Sequence, residues 1–175
     1  MALRFDDLRK DLDRVFMEMV SKKLEVGTVA VLGTGTEPLG EYFSEKFGCK
    51  KVKIPSVMRK GRNKRLAHIL NSAYPYLPEF ALNILSQGYK RLYSRSDRII
   101  PEFPIDDLFE DNGLPILLTD DNCFTGKSLS LWKDRIENKT KREVKTFSIT
   151  VTGDYFPDYF CYRGWRSFEW RPIGI

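Results

Sequence analysis

Residues 116 to 128 read ILLTDDNCFTGKS, and the order of residue types in this stretch decides the fold prediction. Ile116 to Thr119 form a short apolar run that predicts a buried strand. Two carboxylates, Asp120 and Asp121, come directly after it. A helix is predicted from residues 127 to 138, so the stretch combines a strand, an acidic turn and a helix start.

The Gly126-Lys127-Ser128 end is similar to the tail of a nucleotide-binding P-loop, but the rest of the stretch is not. A Walker A loop has a glycine five positions before its Gly-Lys-Ser, and here that position is Asp121. Two carboxylates at the start of a phosphate loop would repel a triphosphate. We therefore reject the P-loop interpretation.

A smaller phosphorylated ligand fits these residues better. Backbone N–H groups at a helix N-terminus bind anions, and the hydroxyls of Thr125 and Ser128 can add donors. Gly126 allows the backbone to approach the anion closely. Carboxylates accept hydrogen bonds from neutral hydroxyls, as Asp120 and Asp121 could do. A ligand with two hydroxyls near one phosphate is a ribose 5-phosphate.

The stretch resembles the phosphoribosyl-pyrophosphate motif of type I phosphoribosyltransferases, with Asn122 and Phe124 as departures from the usual pattern. The resemblance implies that Asp120 and Asp121 are the catalytic acids that hold the ribose 2′- and 3′-hydroxyls. It implies that Mg²⁺ enters with the ligand and has no direct protein ligand. The alternative is a helix-capping threonine that follows a chance pair of aspartates. The implied cradle for the 5-phosphate consists of Phe124, Thr125, Gly126, Lys127 and Ser128.

A second loop in this family follows the first core strand and binds pyrophosphate. Thr34, Gly35 and Thr36 occupy that place here and offer N–H and O–H donors. The loop lacks the arginine or lysine that many members carry, and Glu37 would be unfavourable if it pointed inward. A plain strand–helix turn is the alternative.

A basic segment, MRKGRNKR, covers residues 58 to 65, where the family has a flexible loop over its active site. A solvated basic loop is the alternative. We interpret residues from about 62 to 110, with a largely helical stretch from 66 to 93, as an insertion for a partner or an oligomer, which leaves a homodimer open. The side chains expected to neutralise pyrophosphate are Arg59, Lys60, Arg62 and Lys64.

The C-terminal part is similar to that of xanthine- and guanine-type purine phosphoribosyltransferases, where Pro-Asp-Tyr and a terminal aromatic pattern build a hood over the base. Pro157-Asp158-Tyr159 carries the resemblance, and it implies base stacking by Trp165 and Trp170. The alternative is that the aromatic side chains fill a small core. The lysine that contacts the purine oxygen in those enzymes is replaced by Thr152 or Gly153.

The rest of the chain alternates helices and strands, which predicts an α/β fold with a mainly parallel sheet. We expect a core domain over residues 1–152 and the hood over residues 153–175. Besides the two segments above, the predicted elements are a helix from 5 to 22, a strand from 26 to 32, a helix from Pro38 to Phe47 closed by Gly48, and strands at 51–57 and 144–151.

Composition excludes several function classes. Hydrophobic residues make up 42% of the 175 residues, enough for a core, and no apolar run is long enough for a membrane span. Three separated cysteines and one histidine make a structural zinc site or a hydrolase triad a poor interpretation. The charged N-terminus has no apolar signal region, so we expect a cytoplasmic protein without a membrane partner.

The predicted function is transfer of a 5-phosphoribosyl group from phosphoribosyl pyrophosphate to a nucleobase-like or other nitrogen acceptor. The small acceptor is not identified. The alternative is a non-catalytic regulatory protein of the same fold that binds phosphoribosyl pyrophosphate or a nucleotide. The net charge of +5 attracts polyanions, which keeps nucleic acid open as a less favoured partner.

Overall fold

A computed structural model of the chain describes residues 4–33, 35–59, 98–105, 108–109 and 111–164, without the side chains of residues 58 and 59. Helices and strands alternate along the chain as the sequence predicts. In chain order the elements are α1 (Phe5–Ser21), β1 (Thr28–Leu32), α2 (Glu37–Phe47), β2 (Lys50–Ile54), β3 (Met58–Arg59), β4 (Arg98–Ile99), β5 (Ile116–Cys123), α3 (Lys127–Thr140), β6 (Val144–Val151) and β7 (Tyr159–Arg163).

Five strands form one parallel sheet in the order β2-β1-β5-β6-β7. The chain therefore moves from β1 outward to β2 and later returns to the other side of β1 with β5. This reversal places a topological switch point between β1 and β5, where open α/β sheets bind their ligands. The predicted α/β class is confirmed.

Helices cover both faces of the sheet. On one face, Leu12 of α1 and Phe43 of α2 pack with Phe147 of β6, and the rings of Phe43 and Phe147 meet edge to face at 4.8 Å. On the other face, α3 buries Trp132 against the central strands, and the Trp132 indole N–H donates to the Pro55 carbonyl at 3.1 Å. Burial on both faces explains why β1 and β5 begin as continuous apolar runs.

Several element boundaries were predicted correctly. The helix that begins near Pro38 ends at Gly48, which adopts the left-handed conformation that closes it, and β6 spans Val144–Val151 as expected. Strand β2 is shorter than the predicted 51–57, since it stops at Ile54 ahead of Pro55. Pro55 has no backbone N–H with which to continue the pairing of this edge strand with β1, which agrees with the end of the strand there.

The predicted end of β5 at Thr119 is wrong. The strand continues to Cys123, because its pairing with β6 continues through Asn122 with Thr150 and Cys123 with Val151. Asp120 and Asp121 therefore lie within the strand, near its carboxyl end, and not in a turn beyond it.

The beginning of the predicted hood belongs to the sheet. Tyr159–Arg163 forms β7, which pairs in parallel with β6. Residues 152–158 must return the chain from the carboxyl end of β6 to the start of β7, and they do so in only seven residues. The hood boundary at residue 153 and the insertion at about 62–110 stay predictions, as most of these residues lie outside the described part of the chain.

A short antiparallel ladder joins the first two residues of the basic segment to residues 98 and 99. Met58 pairs with Ile99 and Arg59 with Arg98, so β3 and β4 stand side by side. Strand β4 thus lies within residues 62–110, the range interpreted from the sequence as an insertion. Within the described ranges, no helix has both the length and the hydropathy needed to cross a bilayer.

Candidate functional site

The two loops expected to bind phosphates follow neighbouring strands. Strands β1 and β5 are paired in parallel, with Val31 opposite Thr119. The carboxyl ends of parallel strands lie at the same edge of a sheet, so the loop after Leu32 and the loop after Cys123 both lie at this edge, on either side of the switch point. The structure therefore places at one edge of the sheet the two segments that sequence reasoning treated separately.

The two adjacent carboxylates differ in accessibility. Asp120 is partly exposed, and its Oδ1 accepts the backbone N–H of Asp121 at 2.9 Å. Asp121 is only 4% exposed. Asp120 is thus placed to meet a ligand directly, whereas Asp121 is held within the sheet.

The predicted cradle lies between β5 and α3. Gly126 is the residue that caps the N-terminus of α3, with φ +67°, and its carbonyl accepts the backbone N–H of Ser130 at 2.8 Å. Lys127 is exposed at the first turn. Because the first N–H groups of a helix have no partner within the helix, this end offers donors to an anion.

An arginine that sequence reasoning missed contacts the cradle. The Arg98 guanidinium, at the start of β4, donates from Nη1 to Ser128 Oγ at 2.7 Å and from Nη2 to Thr125 Oγ1 at 2.9 Å. Its place at the cradle depends on the β3–β4 pairing across residues 60–97, for which no sequence signal exists.

The segment between β6 and β7 closes over the cradle. A Cβ atom on Gly126 would lie 2.0 Å from Tyr155 Cγ, and one on Gly153 would lie 1.7 Å from the Phe124 carbonyl oxygen. The two glycines thus permit two chain segments to touch. Tyr155 is a second residue that sequence reasoning did not assign to the site.

A cavity of about 390 Å³ lies beside the cradle. Its volume is within the range of small-molecule sites. The lining combines a guanidinium, a hydroxyl, an aromatic ring and the first turns of α3, and consists of Arg98, Thr125, Gly126, Lys127, Ser130, Leu131 and Tyr155.

The loop after β1 has a more limited set of donors than expected. The Thr36 hydroxyl is buried and donates to the Leu32 carbonyl at 2.9 Å, so it does not donate to a ligand in this geometry. Thr34 lies outside the described residues. A Cβ on Gly33 would lie 2.3 Å from Ser56 Oγ, which places that missed hydroxyl beside the loop.

Glu37 does not carry an uncompensated charge into the site. Its carboxylate pairs with Lys53 Nζ at 2.7 Å and with Lys51 Nζ at 3.1 Å. The hydrogen bond from Lys53 is the largest of the interactions that hold the Glu37 pKa below its ordinary value. The two lysines of β2 therefore offset the acid next to the expected pyrophosphate loop.

Cys123 is a packed thiol. It is 1% exposed, and burial, with the nearby Asp120 carboxylate, raises its pKa to about 12. A protonated, buried thiol is a poor nucleophile. Among the described residues, no group of three or more His, Cys, Asp or Glu side chains is arranged to hold a metal ion.

Aromatic side chains of the C-terminal part lie beyond Tyr155. Phe156 is 46% exposed, its ring centroid lies 6.0 Å from that of Phe160, and the Arg163 guanidinium lies 4.6 Å from the Phe156 ring. The predicted stacking residues Trp165 and Trp170 fall outside the described part of the chain. Phe156 is thus an exposed aromatic side chain in this part of the chain, whereas Phe160 is partly buried against the core.

Most of the predicted flexible loop lies outside the described part of the chain. Lys60, Arg62 and Lys64 lie outside the described residues, and Arg59 is described only as part of the β3 backbone. Thr152 directly follows β6, and either Thr152 or Gly153 stands where the purine enzymes that the chain resembles carry a lysine. The Thr152 backbone N–H donates to the Cys123 carbonyl at 3.0 Å, and its buried hydroxyl has no hydrogen-bond partner among the described residues.

Solved structures with the same architecture cover nearly the whole chain. A purine phosphoribosyltransferase from Pyrococcus horikoshii Ot3 is 14% identical, with a TM-score of 0.62 over 99% of this chain and 94% of the other. A xanthine-guanine-hypoxanthine phosphoribosyltransferase from Helicobacter pylori is 13% identical, with a TM-score of 0.59 over 96% and 90%.

The chain has the type I phosphoribosyltransferase fold. A hypothetical protein from Neisseria gonorrhoeae with bound ppGpp also has this architecture, with 8% identity and a TM-score of 0.64 over 99% of this chain and 92% of that one. No protein-family model and no curated protein sequence matches the chain. At such low identities the similarity establishes the fold, while the activity must be argued from the site.

Proposed function

We propose that the protein is a phosphoribosyltransferase that transfers the 5-phosphoribosyl group of phosphoribosyl pyrophosphate to a nitrogen acceptor and releases pyrophosphate. One observation carries the proposal. The partly exposed Asp120 carboxylate and the Thr125 and Ser128 hydroxyls lie along one segment at the end of the central strand, next to the loop after β1.

Donor binding follows from this arrangement. The 5-phosphate would accept hydrogen bonds from the first N–H groups of α3 and from the Thr125 and Ser128 hydroxyls. The Asp120 carboxylate would accept from the ribose hydroxyls, in an orientation held by the Asp121 N–H. The loop after β1, through its backbone N–H groups and the nearby Ser56 hydroxyl, would receive the pyrophosphate.

Catalysis would rest on position and charge. Anchoring the ribose at both ends exposes the anomeric carbon between them, so that a nitrogen of the acceptor can replace pyrophosphate through an oxocarbenium-like transition state. Mg²⁺ bound with the donor would neutralise the charge that develops on pyrophosphate. Mg²⁺ prefers phosphates and waters as ligands, which fits an ion held by the donor without a direct ligand from the protein, while Asp120 would accept from the ribose hydroxyls.

The acceptor would be planar. Phe156 and Phe160 offer an aromatic surface, and stacking a base on such a ring is worth about 1–3 kcal/mol. Thr152 provides a neutral hydroxyl where the related purine enzymes have a lysine, and a hydroxyl cannot replace a charge-assisted hydrogen bond. We therefore expect poor turnover of guanine, xanthine and hypoxanthine.

The test is release of pyrophosphate from phosphoribosyl pyrophosphate with a panel of oxopurines, adenine, orotate, uracil and nicotinate. Asp120→Asn should weaken donor binding by roughly ten- to hundredfold, because a hydrogen bond to a charged group is lost. Asp134→Asn is the matched control, since Asp134 is exposed on α3. Donor affinity unchanged in Asp120→Asn would refute the assigned role.

A regulatory protein without catalysis is the second candidate. Two observations favour it: the Thr36 hydroxyl is committed to Leu32, and the ppGpp-bound structure shows that a protein with this architecture can carry a guanosine nucleotide. Binding of phosphoribosyl pyrophosphate or a nucleotide with no pyrophosphate release from any acceptor would select this candidate.

A further inference from the structure

We propose that Arg98 is a positioning residue of the phosphate cradle: it turns the hydroxyls of Thr125 and Ser128 toward the ligand and adds a positive charge beside the phosphate. This inference rests on the proposed function in that it assumes the ligand carries a 5-phosphate. It concerns a residue that comes from β4, outside the loop that forms the cradle.

The direction of the two hydrogen bonds carries the argument. A guanidinium can only donate, so the oxygens of Thr125 and Ser128 are acceptors in their contacts with Arg98. Each hydroxyl keeps its own hydrogen, and neither hydroxyl donates to another residue in the described part of the chain. A hydroxyl whose oxygen is already engaged by a donor is set to donate its hydrogen elsewhere. A phosphate bound at the start of α3, beside the cavity that Thr125 lines, would provide acceptors for both.

The geometry distinguishes this contact from a chance surface interaction. Both terminal nitrogens of one planar group reach two hydroxyls, at 2.7 and 2.9 Å, and these hydroxyls lie three positions apart across the first turn of α3. The two hydrogen bonds of this guanidinium hold the loop before α3, through Thr125, in a fixed position relative to the helix, through Ser128. Arg98 also lines the cavity, together with Gly126 and Lys127, so its charge is next to the place where an anion would be bound.

A lysine could not do the same. Its ammonium is a single point charge on a flexible stem, so Arg98→Lys keeps the charge but loses the two-pronged contact. Arg98→Ala loses both. Comparison of the two variants therefore separates orientation of the hydroxyls from simple attraction of the phosphate.

Arg135 provides a matched control. It is a second partly buried arginine that joins α3 to the segment after β4, since it donates to the carbonyls of Pro101 and Phe103 at 3.0 and 3.2 Å. It does not line the cavity. Arg135→Lys should leave phosphate affinity unchanged even if it lowers stability.

The experiment measures binding of ribose 5-phosphate and, separately, of pyrophosphate by calorimetry on the full chain. Ribose 5-phosphate binding should weaken by roughly tenfold in Arg98→Lys and up to roughly a hundredfold in Arg98→Ala, with pyrophosphate binding unchanged. In a Ser128→Ala background, Arg98→Lys should cost less than in the wild type, because one of the two partners is already absent. A thermal melt of each variant separates loss of folding from loss of binding.

Three outcomes would overturn the inference: wild-type affinity in Arg98→Lys, an equal loss in the Ser128→Ala background, or tighter binding in Arg98→Ala, which would mean that the guanidinium blocks the cradle. The proposed function fails separately. If ribose 5-phosphate binding depends on Arg98 but phosphoribosyl pyrophosphate is neither bound nor consumed, the cradle role stands without the transferase. If the wild type binds no ribose 5-phosphate, both are refuted.

Discussion

Replacement of Gly126 by alanine tests whether the cradle is held by contact with the β6–β7 segment. The new Cβ would lie 2.0 Å from Tyr155 Cγ and 2.5 Å from Tyr155 Cβ. Rotation about the side-chain torsions of Tyr155 cannot move its Cβ, so the strain can be relieved only by displacement of one of the two backbones.

The magnitude follows from two contributions. An L-residue in the left-handed conformation costs about 1 kcal/mol, and overpacking of a tight contact costs about 1–3 kcal/mol. Gly113→Ala isolates the first, because Gly113 has a similar φ of +68° and no atom within 4 Å of its would-be Cβ. We expect Gly113→Ala to lower the melting temperature by about 2–4 °C, and Gly126→Ala to lower it by about two to four times as much.

The assay is urea or thermal denaturation of both variants, repeated in a Tyr155→Gly background. With both the ring and the Cβ of residue 155 removed, Gly126→Ala should cost about as much as Gly113→Ala. Ribose 5-phosphate affinity should fall in Gly126→Ala and stay unchanged in Gly113→Ala. If the two alanine variants were equally stable in the wild-type background, Tyr155 would not be packed on the cradle, and the reasoning would be refuted.

Three smaller effects follow from the same structure. Since burial raises the Cys123 pKa to about 12, the thiol should resist alkylation at neutral pH until the protein is unfolded, and rapid labelling in the native state would contradict its burial. Asp158→Ala should lower the free energy of unfolding, measured by urea denaturation, by about 1 kcal/mol, because Asp158 Oδ2 accepts the Thr146 N–H at 2.7 Å and the variant has no acceptor in its place. Unchanged stability would mean that a water molecule accepts this N–H in the variant. Because the Glu37 pKa is lowered in the folded protein, the group stabilises the fold at pH values above its ordinary pKa of 4.5. This contribution is lost as the pH falls through the pKa of the folded state. Glu37→Gln should thus reduce the loss of stability at acidic pH by under about 1 kcal/mol, because Lys53 is half exposed. The same dependence of stability on pH in the variant and the wild type would show that the ion pair contributes nothing.

Local patterns were sufficient where one segment determines its own conformation. The apolar run that contains β1, the β-branched and aromatic residues of β6, the proline and glycine at the ends of α2 and the Thr-Gly-Lys-Ser helix start each predict their element from neighbouring residues. The motif around Asp120 also predicted the fold, because its order of residue types is uncommon.

Long-range pairing limited the rest of the prediction. The extension of β5 to Cys123 depends on eight residues of β6 as its partner. The contacts of Arg98 and Tyr155 with the cradle depend on β3–β4 pairing and on the return of the chain to β7. The burial of Asp121 depends on both neighbouring strands, so the two acids look equivalent in the sequence and are not in the structure.

The pairing of β3 with β4 has a consequence for how the chain length can vary. Residues 59 and 98 stand opposite each other, so everything between them leaves and re-enters the core at one place. The entropic cost of closing a loop rises only with the logarithm of the loop length, by about 0.6 kcal/mol for each doubling. Residues could therefore be added or removed at this point at small thermodynamic cost while the sheet keeps its order. The segment whose length can vary most easily thus ends at Arg98, the residue that joins this part of the chain to the phosphate cradle.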